Sequence, residues 1–112
     1  MNPIPPYERS VQSPLTETLN EDGSINLNCD VTYLVQTVTG PYAVALPNGN
    51  YQRQFKRLLI PKARELDSAV FTVTGSFANC TSLQLDRTAT SAVLEWDGTG
   101  WHLIGGTAIK IP

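Results

Sequence analysis

The chain has 112 residues, 41% of them hydrophobic and only 16% charged, which suits a single domain with an adequate core and a sparsely charged surface. Eight basic and ten acidic residues give a formal net charge of −2, without the strongly basic footprint of a general nucleic-acid binder. No stretch approaches the apolar length of a membrane span, and the opening Met1-Asn-Pro-Ile-Pro-Pro6 has neither the basic nor the apolar region of a secretory leader, so neither nucleic acid nor membrane is expected as a partner.

Residues 1–22 carry Pro3, Pro5, Pro6 and Pro14, no glycine and no sustained hydrophobic period. Early prolines forbid a helix there, and the segment reads as an extended arm. At roughly 3.3 Å per residue it would reach on the order of 70 Å, far enough to grip a neighbour. Pro3, Ile4, Pro5, Pro6, Tyr7, Val11 and Leu15 are its expected points of contact with another subunit or a larger lattice.

From Gly23 the pattern turns to short alternating runs punctuated by turn residues, so 23–112 reads as a β domain. Strands are expected over 24–27, 32–38 and 42–46, the last ended by Pro47-Asn-Gly-Asn50. Residues 54–60 alternate Phe55, Arg57 and Leu59 against Lys56, Leu58 and Ile60. Residues 62–67 suffice for one helical turn, too short to stand alone. Ala69-Val-Phe-Thr-Val-Thr74 has the best strand composition, Leu83-Gln-Leu85 is a short strand, and Thr107 to Ile111 forms a last alternating tail suited to a sheet edge. About eight short strands and no substantial helix predict an all-β fold, a small antiparallel sandwich, jelly roll or barrel. Cys29 and Cys80, two thiols far apart in the chain, read as ordinary buried cysteines, although their number also permits one disulfide.

The most specific feature is Ser91-Ala-Val-Leu-Glu-Trp-Asp-Gly-Thr-Gly-Trp-His-Leu-Ile-Gly-Gly106, two alternating runs meeting at a turn of Asp97, Gly98, Thr99 and Gly100. A hairpin around that turn pairs Trp96 with Trp101, Leu94 with Leu103 and Ala92 with Gly105, giving one core face. The other face pairs Val93 with Ile104 and Glu95 with His102, and these four residues are the expected subunit interface.

Chemistry is sparse. The chain has one histidine and no phosphate-cradling loop, nucleophile elbow or metal-ligand spacing, so no enzyme activity and no cofactor are expected. Glu95 suffices as a structural partner for His102. The alternative is a sugar site in which Trp101 stacks on a ring beside Asp97 and Thr99. Arg53, Lys56, Arg57, Lys62 and Arg64 cluster five of the eight basic residues, but one interleaved aromatic is too few for single-stranded nucleic acid.

The span from Gly23 to Gly106 resembles small virion domains of bacteriophages and other large DNA viruses. The likeness rests on Ser24-Ile-Asn-Leu-Asn-Cys-Asp-Val-Thr-Tyr-Leu-Val35, on Arg53-Gln-Phe-Lys56 and above all on the 91–106 hairpin. The chain departs from them in Pro47-Asn-Gly-Asn50 and in its proline-bearing arm. The resemblance implies a β-rich capsid decoration or cement protein, commonly a homotrimer, that binds the major capsid protein or another virion protein and resides in virions assembled in the host cytoplasm. The alternative it implies is a fibre or tail module that binds surface glycan or a receptor.

Overall fold

The structure, a computed structural model, describes residues 15–36, 41–61 and 70–112. Ten strands follow in chain order: β1 (Thr16–Leu19), β2 (Gly23–Ser24), β3 (Val31–Leu34), β4 (Pro41–Ala45), β5 (Phe55–Leu59), β6 (Val70–Thr74), β7 (Ser82–Asp86), β8 (Ser91–Trp96), β9 (Trp101–Gly106) and β10 (Ile109–Ile111). The expected all-β character holds, with no helix among the described residues. The strands form two five-stranded sheets, ordered β1-β3-β5-β8-β9 and β10-β7-β6-β4-β2.

The expected antiparallel arrangement is corrected. β3 pairs in parallel with β1 and β5, and β4 with β2 and β6, so both sheets are mixed. The cause is the path of the chain. From β1 to β6 successive strands fall in alternate sheets, so each returns to its own sheet pointing the same way as the strand it joins. Only from β6 onward does the chain pair antiparallel, β7 on β6, β8 on β5, β9 on β8 and β10 on β7. The first six strands thus make a coil of three two-strand turns, and the last four extend each sheet by an antiparallel pair. Neither sheet closes, because β1 and β9 bound one and β10 and β2 the other. A barrel is therefore not formed.

Within the span read as an arm, Thr16–Leu19 is β1 and pairs with β3 from Thr16↔Val31 to Leu19↔Leu34. The Leu15 carbonyl accepts from the N–H groups of Asp30 (2.8 Å) and Val31 (3.3 Å), so its backbone is bound to its own domain while its side chain is 64% exposed. The other expected arm contacts, Pro3, Ile4, Pro5, Pro6, Tyr7 and Val11, and the helical turn expected over 62–67, lie outside the described residues. The 107–111 tail lies on a sheet edge as expected, with β10 on β7. Cys29 and Cys80 are free thiols, each partly exposed, and burial pushes the Cys80 thiol up.

The core lies between the sheets. Alternation in β4 and β6 turns Tyr42, Val44, Phe71 and Val73 inward, and the cross-strand partners Tyr42 and Phe71 stack at 5.0 Å. Leu58, Leu94, Trp96 and Trp101 face them from the other sheet, each 5% exposed or less. Burial of each such side chain contributes about 1.5–3 kcal/mol. One position in this face is a lysine: Lys56 is 1% exposed, and its Nζ donates to the carbonyls of Asn26 (3.0 Å) and Cys29 (2.6 Å). Beside it the Glu17 carboxylate accepts from Asn26 N–H and Thr32 Oγ1, each at 2.7 Å. An ammonium stripped of water is tolerated in a core only with such partners. The pair ties β1 and the link between β2 and β3 to the middle of the first sheet.

Candidate functional site

The hairpin β8–β9 has the expected register at its turn: Trp96↔Trp101, Glu95↔His102 and Leu94↔Leu103. Both indoles turn inward as expected, their centroids 5.3 Å apart. Farther from the turn the register slips by a bulge, so that Val93 pairs with Gly105 and Ala92 with Gly106. The expected pairs Val93–Ile104 and Ala92–Gly105 are thereby corrected. The extra residue is Ile104, and beyond the slip Gly106 has a φ of +94° and sits so close to β8 that a Cβ there would stand 2.5 Å from the Ser91 carbonyl oxygen. At that point the chain leaves the first sheet, and the N–H groups of Thr107 and Ala108 bond the Ser91 carbonyl before β10 begins in the second.

Asp97 builds the turn. Its Oδ1 accepts from the N–H groups of Thr99 and Gly100, both at 2.7 Å, and its Oδ2 lies 2.6 Å from His102 Nε2. The N–H of Gly100, the His102 ring and the N–H of Thr99 hold the carboxyl well below its ordinary range, at about 2. The expected ion partner of His102 is therefore corrected: cross-strand Glu95 lies opposite it, but the contact is made by Asp97. Glu95 instead approaches Arg53, with Nη1 to Oε2 at 3.8 Å.

Arg53 has a positive φ of 70°, the only such non-glycine residue among those described. Its N–H donates to the Trp96 carbonyl (2.7 Å), Trp96 N–H donates to the Gln54 carbonyl (2.8 Å), and Gln54 N–H bonds back to the Tyr51 carbonyl (3.2 Å). Arg53 and Gln54 thus face Trp96 together, in a bulge whose first position is ordinarily glycine. An arginine there costs about 1–2 kcal/mol relative to a right-handed conformation. The loop leading to it is packed on the hairpin: Trp101 Nε1 donates to the Pro47 carbonyl (2.9 Å), and Gly49 lies so close to the Trp96 ring that a Cβ would stand 2.2 Å from it.

These elements enclose an open recess of about 310 Å³ on the outer side of the first sheet. Gln52 and Arg53 line one wall, Glu95, His102 and Ile104 the sheet side, and Asp97 with Trp96 the turn end. Three of the four expected interface residues, Glu95, His102 and Ile104, meet here. Val93 lies farther along the same face in a second depression of about 230 Å³, with Tyr33, Arg57 and Leu59.

The expected sugar trio is not brought together. Asp97 and Thr99 are exposed at the turn, but Trp101 is 0% exposed and its indole N–H is engaged by Pro47, so no face of it is open to a ligand. Arg53, Gln52 and Phe55 were not singled out from the sequence as site residues. A glycine-like φ at an arginine leaves no mark in residue order, whereas the alternation that sets Phe55 on a face with Arg57 did. Phe55 is 56% exposed and pairs with Glu95. No group of three or more histidine, cysteine, aspartate or glutamate residues suited to a metal occurs among the described residues. Compared with known proteins, the chain matches no family model and no curated sequence.

Proposed function

We propose that this chain is a non-enzymatic structural protein that assembles into a homotrimer through the outer face of its first sheet. In the setting that the resemblance to small virion domains implies, it decorates and stabilises a viral capsid by contact with the major capsid protein or another virion protein. The observation that carries this reading is the contrast between the two outer faces. The middle of the second sheet's outer side holds small or polar residues, Ala43, Ala45, Thr72, Thr74 and Gln84, with the larger apolar Val70 and Ile109 at its margins. The outer positions of the first sheet hold Tyr33, Phe55, Leu59, Val93 and Ile104, with Phe55 and Ile104 more than half exposed. Set among Arg57, Glu95 and His102 on the same face, these exposed apolar side chains favour a partner over water.

In the ring proposed here, Phe55 of one copy seats in the depression bounded by Tyr33, Leu59 and Val93 of the next. Contacts of that head-to-tail kind close into rings when the rotation allows. Sedimentation equilibrium of the full chain should give a trimer, and capsids bearing the protein should survive heating that breaks bare capsids. A monomer at every concentration, with equal survival of the two capsid samples, would sink the proposal.

A further inference from the structure

We infer that the recess between Arg53 and the β8–β9 hairpin is a carbohydrate site that takes a single neutral pyranose unit. The recess shares Ile104 with the face proposed for assembly but none of the lining of the second depression, so a trimer seated on Tyr33, Leu59 and Val93 leaves it open to a ligand.

Its size is at the small end of ligand pockets, which run from about 300 to 1,000 Å³ and combine an apolar wall with a few placed polar groups. Its chemistry is mixed. Arg53 and Gln52 supply N–H donors on one wall, the Glu95 and Asp97 carboxylates supply acceptors on the other side, and Ile104, 51% exposed, offers an aliphatic surface. Vicinal hydroxyls each donate and accept, and one side of a pyranose is a patch of C–H groups, so a sugar satisfies all three kinds of surface. A simple anion would face two carboxylates, and a simple cation would face Arg53. A neutral polyol avoids both repulsions.

The backbone supplies the second, independent observation. Arginine occupies the left-handed position of a bulge that glycine fills at lower cost, and strain of this kind collects at ligand-holding sites. The bulge hydrogen bonds to Trp96 fix where the Arg53 side chain leaves the backbone, and the guanidinium stands beside Glu95 with 83% of its side chain exposed. Asp97 is equally fixed, by two backbone N–H groups and the His102 ring. The Asp97 acceptor and the point where Arg53 leaves the backbone are thus set before a ligand arrives, which lowers the ordering cost of binding.

The test is a titration of the ¹⁵N-labelled full chain with the methyl glycosides of glucose, galactose, mannose and N-acetylglucosamine, with sulfate and tetramethylammonium as charged probes. At least one glycoside should give saturable amide shifts centred on Gln52, Arg53, Glu95, His102 and Ile104. Arg53→Gly relieves the strained position and should keep the fold while weakening that glycoside by about tenfold, the effect of losing a hydrogen bond to a charged group. Ile104→Ser should weaken it as well, with the hairpin spectrum otherwise retained. The proposal is overturned if no glycoside saturates, if sulfate or tetramethylammonium alone shifts these amides, or if both variants bind as the native chain does. Sedimentation of the same samples reports association separately, so either reading can fail without the other.

Discussion

At the scale of single residues, Asp97 shows how an exposed group becomes structural. Its carboxyl is held at about 2 by hydrogen bonds from Gly100 N–H, the His102 ring and Thr99 N–H, not by burial. A folded-state value below the ordinary 3.8 means that the unfolded chain binds the proton more readily. The stabilisation is fully present above the ordinary value and fades as pH falls through about 2. Asp97→Ala should therefore be less stable than the native chain at neutral pH, with the difference shrinking as denaturant midpoints are followed down to strong acid. A difference that stays constant across that range would show that the carboxylate's charge is irrelevant to the turn. The aspartate-led turn was legible in residue order, because Asp-Gly-Thr-Gly between alternating runs is local chemistry. The partner of His102 was not, since Glu95 and Asp97 lie two residues apart and only side-chain direction selects between them.

At the scale of elements, the bulge in β9 and the lysine in β5 each replace a simple pattern. The bulge falls at Ile104, and the strand then ends at Gly106, where an added Cβ would meet the Ser91 carbonyl at 2.5 Å in a conformation that L residues rarely adopt. Gly106→Ala should cost about 2 kcal/mol or more in chemical unfolding, and a cost near zero would mean that the chain crosses between sheets by another route. Alternation alone extends the hairpin register without a slip, which is why Val93 was matched to Ile104. Lys56 was likewise legible as sharing one face with Leu58 and Ile60, but not as buried or as a bolt to Asn26 and Cys29. Those carbonyls come from a link thirty and twenty-seven residues earlier. Burial lowers the Lys56 pKa from 10.5, against the raising effects of Glu17, Cys29 and Asp30. A lowered folded-state value for a base makes stability rise with pH as the solution passes through that value toward 10.5. Lys56→Met should flatten this alkaline rise relative to the native chain, as read from thermal midpoints at increasing pH. An unchanged slope would show that Lys56 stays charged throughout.

At the scale of the whole molecule, the two sheets present unequal faces to water, and the assembly prediction belongs to that inequality. Phe55→Asp, or Val93→Asp in the depression, should drive the trimer to monomer with little loss of thermal stability, because both positions point away from the core. Thr72→Asp on the outer side of the second sheet should leave the oligomer intact. If all three variants behave alike in sedimentation, the first sheet is not the interface.

Residue order by itself determined the all-β class, nearly every strand from β2 onward, the two alternating faces of β4, β5 and β6, the core face of β8, and the turn of the hairpin. These are consequences of period-two alternation and turn chemistry, which are local. It did not separate β1 from the proline-bearing segment, because Thr16 to Leu19 becomes a strand only through the β3 edge beside it. Strand direction was decided by tertiary structure alone. Alternation looks the same in parallel and antiparallel pairs, and whether a link carries the chain to the next strand of one sheet or across to the other depends on which faces bury together. The recess was decided in the same way, as Arg53 reaches Glu95 only because a strained bulge and a hairpin forty residues later share one sheet.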